Sequence, residues 1–290
     1  MNPKGKKMIT PEEEAYALER AYVPEHIVSL MVLISKGDSF LIEDHLGFAK
    51  DNWLILVGYP LDGNFSRERC ERILKQTLET FRPEYLWFIG PEIPDSLLDF
   101  CRERETDQYY RLDLEKTKLK PSLQRMADKA SEELSVERAH SISKEHQALI
   151  AELLKREKLL PRVRGLYQAM PEYVSRSTSA WVLNARHKNG KLCAFYVVEL
   201  GGKNFSTYVV GCHSKKHYVP HASDLLFLEM INLTREHEKN TINLGLGVNE
   251  GIRRFKKKWG GMPFLNYEFC ESFYGTTRTV SVIESLIRKL

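Results

Sequence analysis

The sequence predicts a mixed α/β fold arranged in two units, and three features of the residue pattern lead to this prediction. Short apolar runs typical of buried strands alternate with amphipathic helical segments along the chain. In the second half, three strands joined by tight turns precede a helix–strand–helix–strand series. A charged stretch, residues 116–133, separates the two patterned halves and predicts a linker helix. We therefore expect domains at residues 1–120 and 121–290.

The first half begins with a short helix and continues with strands and helices in mixed order. Thr10 and Pro11 are typical of a helix N-cap and first turn, so a helix is expected to start there. Apolar runs beside turns predict strands, and apolar residues at helical spacing predict helices. The predicted strands are 27–34, 40–43, 53–58, 85–89 and 109–113, and the predicted helices are 66–80 and 94–104.

The second half opens with two predicted helices and continues as an antiparallel meander. Asn189-Gly190 lies between two apolar-rich runs, which is a strong hairpin signal because both residues tolerate positive φ. Gly201-Gly202 then turns the chain into a third strand. The predicted helices are 144–156, 161–170, 221–238 and 249–259, and the predicted strands are 179–186, 191–199, 205–211, 241–246 and 264–270.

Composition excludes several classes of protein. The 290 residues are 42% hydrophobic and 28% charged, as in an ordinary globular protein, so wholesale disorder is not expected. The net charge is +4, so bulk charge does not indicate nucleic-acid or membrane binding, and a basic site would have to be local. No apolar run is long enough to span a membrane, and the cationic start has no apolar run behind it, so neither a span nor a signal peptide is expected.

The five cysteines indicate a reducing compartment. They are odd in number, widely spaced and form no CxxC pair, so neither a disulfide scaffold nor a cysteine zinc site is expected. We therefore predict a cytoplasmic protein. His213, His217 and His221 are spaced by four, but Pro220 interrupts a helix there and no carboxylate is close in sequence, so no metal site is expected.

The segment richest in possible chemistry is residues 243–261. Gly245 and Gly247 follow a strand and precede a helix, so their backbone N–H groups are expected to be free to face an anion. The helix carries five cations in six residues, from Arg253 to Lys258, around an apolar stripe. Such a face is either a solvated surface or a phosphate site for a cofactor or RNA. The sequence holds no phosphate-loop, dinucleotide, GxSxG, HExxH or kinase signature.

The same segment resembles a family signature. INLGLGVNEGIRRFKKKWGG is similar to the closing strand and helix of the Fem-type peptidyltransferases, relatives of the GNAT acyltransferases, in which a helix of the type G-x-x-R/K-F-K-x-x-[WF]-G follows a strand ending in glycine. The resemblance covers residues 140–275. Fem-type chains resemble two GNAT-like units in tandem, which implies two mixed, mostly antiparallel sheets flanked by helices, the first of them degenerate.

The resemblance implies transfer of an acyl or aminoacyl group from acyl-CoA or aminoacyl-tRNA to a small-molecule or peptide amine. GNAT enzymes usually hold CoA with a Q/R-x-x-G-x-G/A loop, whereas residues 211–222 lack its glycines and offer Lys215 and Lys216 instead. The expected donor-binding residues are Lys215, Lys216, Gly247, Asn249, Arg253, Arg254 and Lys257. The expected acid, base and polarising groups are His213, His217, Tyr218 and Glu229.

Two alternatives remain open at this stage. The missing glycine loop is compatible with a GNAT-like protein that binds its ligand without catalysis. The basic helix at residues 253–258 is compatible with an RNA-binding protein.

Overall fold

The computed structural model describes residues 8–275 and confirms the mixed α/β fold in that range. The cationic start of the chain lies outside the described residues. Contacts between Cα atoms group the residues into two compact units. Unit 1 includes residues 8–109, 246–248 and 263–275, and unit 2 includes residues 110–245 and 249–262. Unit 1 is thus discontinuous in sequence, and the domain boundary at residue 120 stays a prediction.

Unit 1 is built from four helices and a mixed sheet. Its helices are α1 (Pro11–Arg20), α2 (Val28–Ser35), α3 (Arg67–Phe81) and α4 (Asp95–Leu98). Its strands are β1 (Asp38–Ile42), β2 (His45–Lys50), β3 (Trp53–Val57), β4 (Tyr85–Gly90), most of β5 (Cys101–Asp113) and most of β11 (Met262–Phe273). The strands lie in the order β1-β2-β3-β4-β11-β5, with β3 and β4 parallel and the other pairs from β1 to β11 antiparallel.

The apolar runs of unit 1 are buried on both faces of this sheet. Trp53, Ile55 and Val57 pack with residues of α1 and α2, whereas Leu54 and Leu56 pack with residues of α3. Successive strand residues point to opposite faces, so a run without polar residues is required wherever helices cover both sides. Helix α1 begins after Thr10, as predicted, and Thr10 also forms a capping box with Glu13.

In unit 1, two predictions were wrong and one strand was missed. Residues 27–34 were expected to be a strand but form α2, because a short run that is apolar all round has no period to separate helix from strand. The helix predicted at 94–104 ends at Leu98, and β5 begins at Cys101, because its residues alternate between more and less exposed positions. Strand β2 was not predicted.

A disulfide joins Cys101 of β5 to Cys270 of β11, with the two Cα atoms 5.5 Å apart. The sequence prediction missed this bond because 169 residues separate the two cysteines and no spacing motif connects them. Cys70, Cys193 and Cys212 are free and buried. The bond is one link between neighbouring strands and does not make a disulfide scaffold.

Unit 2 is built from five helices and a second set of strands. Its helices are α5 (Pro121–Ser131), α6 (Lys144–Arg156), α7 (Pro161–Arg176), α8 (Ala222–Glu236) and α9 (Glu250–Lys258). Its strands are the end of β5, then β6 (Leu134–Ala139), β7 (Ala180–His187), β8 (Leu192–Glu199), β9 (Phe205–His213) and β10 (Thr241–Leu246). They lie in the order β5-β10-β9-β8-β7-β6.

The predicted meander is confirmed, since β6, β7, β8 and β9 pair antiparallel in succession, while β9 and β10 pair in parallel. Helix α5 was expected to be a linker, which was wrong: Leu123, Ala127 and Ala130 are buried and the helix packs against α8. Helix α7 continues through Pro171 beyond its predicted end, and β6 was not predicted.

Candidate functional site

In unit 2, β9 and β10 pair over only three residues and then separate. Phe205, Ser206 and Thr207 face residues 241–243, and within the described chain no further residue pair joins these two strands. The other edge of β9 remains paired to β8, where Val197 faces Val210 but Val198 faces Tyr208, so β9 contains one extra residue. Such a bulge bends a strand and commonly accompanies an active site. The separation leaves an edge of β9 without a strand partner along part of its length.

An open groove of about 350 Å³ lies where β9 ends and α8 begins. It is lined by Cys193, His213, Ser214, Tyr218, Val219, Pro220, His221, Ala222, Ser223, Asp224 and Phe255. Glu152 of α6 fixes one side, because its carboxylate accepts from the Lys215 backbone N–H at 2.7 Å and from the Ser214 hydroxyl at 3.2 Å. The loop that forms the wall is therefore attached to the helical layer.

Asp224, in the first turn of α8, is the most highly connected charged group in the groove. Its side chain is buried and accepts from the Trp259 indole N–H at 2.9 Å and from the Lys258 ammonium. The Nδ1 atom of His221 lies 3.1 Å from the other carboxylate oxygen. An acidic residue near a helix N-terminus interacts favourably with the positive pole of the helix. A carboxylate therefore already occupies the region where an anion would meet the start of α8.

Three of the four predicted catalytic residues lie at or beside the groove. His213 and Tyr218 line it, and the Tyr218 side chain is 64% exposed. His217 lines an adjoining depression together with Tyr218. Burial, assisted by the nearby Arg156 cation, lowers the pKa of His213, which favours its neutral form. Glu229 is absent from the groove lining and instead forms an ion pair with Arg138, 2.6 Å away.

The predicted donor-binding cations lie on two neighbouring elements. Lys215 and Lys216 are exposed in the loop before α8. Arg253, Arg254 and Lys257 are exposed on α9, and the closest carboxylate to Arg254 is Glu250 at 3.8 Å. The other two cations of α9 have different surroundings: Lys256 is buried with its ammonium 5.6 Å from the centre of the Tyr110 ring, and Lys258 binds Asp224. The exposed basic face of α9 thus comprises three residues.

The backbone N–H groups expected to face an anion are engaged within the protein. The N–H of Gly245 donates to the Asn243 side chain at 2.9 Å, and the N–H of Gly247 donates to the Gln108 carbonyl at 3.1 Å. The expectation that these groups are free was therefore wrong. Asn249 is the N-cap of α9, and its side chain accepts from the Ile252 N–H at 2.9 Å. Binding of a donor by Gly247 and Asn249 stays a prediction.

The pairing of His221 with Asp224 was not predicted, and the expectation that no carboxylate is close in sequence to these histidines was wrong, because Asp224 follows His221 by three residues. Its signal was available, since a histidine followed three residues later by an aspartate at a helix start places both side chains on one side of the first turn. The link from Asp224 to Lys258 had no such signal, because 34 residues and a strand separate them.

No model of a known protein family matches the chain, and no curated protein matches its sequence. Solved structures do match it over nearly its whole length. L-PGS from Bacillus licheniformis is 14% identical with a TM-score of 0.58, over 99% of this chain and 98% of that one. FemX is 11% identical with a TM-score of 0.59, over 90% and 96% of the two chains.

A tandem GNAT protein from the clavulanic acid biosynthesis pathway is 14% identical with a TM-score of 0.58, over 94% of this chain and 98% of that one. The chain therefore shares the fold of FemX and of this tandem GNAT protein, which confirms the fold that the resemblance implied. Within residues 8–275, no helix is both long and apolar enough to cross a bilayer, and no group of three or more His, Cys, Asp or Glu residues is arranged to hold a metal ion.

Proposed function

We propose that this protein transfers an acyl or aminoacyl group from a phosphate-bearing donor to an amine. The observation that carries the proposal is the separation of β9 from β10, together with the open groove where β9 ends and α8 begins. An unpaired strand edge offers N–H and C=O groups to an extended ligand, and the bulge in β9 changes the direction of those groups. The Fem-like fold supports the same reaction class.

The charges around the groove favour α9 as the site for the donor phosphates. A pyrophosphate at the start of α8 would lie beside the buried Asp224 carboxylate, which would repel it. Arg253, Arg254 and Lys257 on α9 are exposed, and within residues 8–275 the only carboxylate paired with any of them is the exposed Glu250. Guanidinium and ammonium groups bind phosphate through charge-assisted hydrogen bonds. Lys215 and Lys216 add positive charge on the loop side.

The reaction needs a base for the attacking amine, donors for the oxyanion and a proton for the leaving group. Burial lowers the pKa of His213 and so favours its neutral form, and the phenol of Tyr218 is a hydrogen-bond donor open to solvent. Both groups belong to the groove and are available to a bound substrate. In both acyl-CoA and aminoacyl-tRNA, the phosphates lie at a distance from the reacting carbonyl. Either donor could therefore bind its phosphates at α9 while its carbonyl lies in the groove.

Donor binding by the full chain tests the proposal. Affinity is measured for an aminoacylated RNA, the same RNA after deacylation, and acyl-CoA of several chain lengths, each at 50 and 200 mM salt. If three cations of α9 contact phosphates of an RNA strand, we expect its affinity to fall roughly twentyfold between these concentrations. The charge-reversal variant R253E/R254E/K257E is expected to bind the preferred donor at least tenfold more weakly.

A matched variant controls for total charge. K118E/R125E/K129E changes the same number of exposed basic residues in unit 2, before and along α5, and should bind donor like the wild type. Equal binding by the α9 variant and the wild type would contradict the proposed donor site. Equal affinity for aminoacylated and deacylated RNA, with no acyl-CoA binding, would favour an RNA-binding protein. Donor binding without product from any amine would favour a GNAT-like binding protein.

A further inference from the structure

We infer that His221 is the general base of the transfer and that Asp224 is its positioning residue. The inference rests on the proposed function and adds to it the group that accepts the proton of the attacking amine. Both side chains line the groove at the start of α8.

The geometry determines which nitrogen of His221 carries the proton. Its Nδ1 atom lies 3.1 Å from Oδ2 of Asp224, and an ionised carboxylate can only accept. Nδ1–H must therefore donate, which leaves the lone pair on Nε2. That nitrogen is the one available to take a proton from a substrate, and the His221 side chain is 33% exposed. Orientation of a histidine base by a carboxylate recurs in unrelated enzymes.

Neighbouring donors hold the carboxylate of Asp224 in place. The Trp259 indole N–H and the Lys258 ammonium donate to Oδ1, which leaves Oδ2 for His221. Asp224 is only 5% exposed, so water does not compete freely for this oxygen pair.

A purely structural role for the pair explains less of the arrangement. His221 is the N-cap of α8, but its side chain accepts no hydrogen bond from the helix backbone, so the ring does not cap the helix. Its φ is 62°, a left-handed conformation that glycine adopts without steric cost. Histidine therefore has no backbone advantage over glycine at this position, whereas its side chain lines the groove beside a carboxylate.

The other histidine of the groove, His213, is a weaker candidate. Its ring lies 6.5 Å from the Tyr218 ring, and within residues 8–275 it forms no side-chain hydrogen bond that would fix a tautomer. His221 has both a partner and a defined free nitrogen. Of these two rings, His221 is therefore the one whose position and proton are fixed by a neighbouring side chain.

His221 carries one proton from the attacking amine to the leaving group. As the amine nitrogen bonds to the donor carbonyl carbon, its proton passes to Nε2 of His221. When the tetrahedral intermediate collapses, the bond from the carbonyl carbon to the donor oxygen or sulfur breaks. The imidazolium then returns the proton to that leaving atom, giving an amide and a free alcohol or thiol. Asp224 stays ionised throughout and stabilises the imidazolium.

The first test reads the tautomer directly and requires no substrate. In the full chain labelled with ¹⁵N, long-range correlation spectra at pH 8 are expected to show His221 with its proton on Nδ1. In Asp224→Asn this preference should weaken, whereas Lys258→Gln, which removes another partner of the same carboxylate, should retain it. A proton on Nε2 in the wild-type protein would overturn the inference, even if the protein proves to be a transferase.

The second test measures transfer with the best donor and amine. His221→Gln is expected to lower kcat about 100-fold with little change in KM, because general base catalysis contributes about 10²- to 10⁴-fold. Free imidazole should restore part of the rate in His221→Ala. His237→Gln, at the other end of α8, is the folded control. A wild-type rate in His221→Gln overturns the inference and leaves the proposed function intact, whereas no transfer by wild type rejects both.

Discussion

Two buried histidines of unit 1 should make the stability of this protein depend on pH. His26 and His45 are 0% and 1% exposed, and each has an Nδ1 atom that is buried without a hydrogen-bond partner. Nε2 of His26 donates to the Tyr59 carbonyl at 2.9 Å, so its Nδ1 is the unprotonated nitrogen of a neutral ring. Burial lowers the pKa of each histidine to about 4, assisted at His45 by the Arg69 cation.

The magnitude follows from the difference between the folded and unfolded proteins. An unfolded histidine, with a pKa of 6.5, takes up a proton as the pH falls below that value, while the folded ring stays neutral down to about pH 4. The unfolded state therefore binds more protons in this range, and the free energy of unfolding decreases as the pH falls. Between pH 7 and pH 5 each histidine should remove about 2 kcal/mol, or about 4 kcal/mol for the pair.

The assay compares urea denaturation of the wild type and of H26Q/H45Q at pH 7, 6 and 5. Glutamine keeps a donor at the position of Nε2 for the Tyr59 carbonyl but cannot titrate in this range. The double variant should lose most of the extra pH dependence, whatever its absolute stability at pH 7. The other titrating groups are the same in both proteins, so they cancel in the comparison.

A control variant, His187→Gln, replaces a partly exposed histidine of unit 2 and should keep the wild-type pH dependence. The reasoning is refuted if the wild type and H26Q/H45Q lose the same free energy of unfolding between pH 7 and pH 5.

Three further predictions concern single features of the fold. Gly260→Ala should lower the free energy of unfolding by at least about 1 kcal/mol, because φ is 91° and a Cβ would lie 2.7 Å from the Thr117 methyl group. Gly165→Ala in α7 should instead raise the free energy of unfolding by about 0.5–1 kcal/mol, since a Cβ at this position meets no atom within 4 Å. Thermal melting of the two glycine variants and the wild type checks both predictions. Thiol titration of the unfolded, unreduced protein should find three thiols, and titration after reduction should find five. Reduction should also lower the free energy of unfolding by about 2–4 kcal/mol. Five thiols before reduction would contradict the Cys101–Cys270 bond.

Local patterns predicted the elements that have a clear period or a clear turn beside them. Helices α3 and α6 were found because their buried residues recur at the helical period. The strands of the meander were found because turn residues separate apolar-rich runs, one of which, β8, is buried throughout. Helix α2 was not, because tertiary packing rather than periodicity makes its apolar sequence helical. Only residues 109–113 of β5 were predicted as a strand, because its first eight residues are polar or charged and show no apolar run.

The site was only partly predictable, because some of its contacts join segments that are far apart in the sequence. The exposed cations of α9 follow from one amphipathic segment, so Arg253, Arg254 and Lys257 were located correctly as a surface group. The roles of Lys256 and Lys258 could not be predicted, since the first packs inward beside Tyr110 and the second binds Asp224. These contacts depend on how distant segments meet. Likewise, Asn243 and Gln108 take the glycine N–H groups that local sequence left free.

The central claim is tested most directly by looking for the product. The full chain is mixed with its preferred donor, carrying a labelled acyl or aminoacyl group, and with a panel of amines, and new amides are identified by mass spectrometry. We predict an amide that forms in proportion to enzyme and forms at least tenfold more slowly with R253E/R254E/K257E at donor concentrations below saturation. Donor that stays intact, or that is only hydrolysed, with every amine would contradict the assignment of this protein as a transferase.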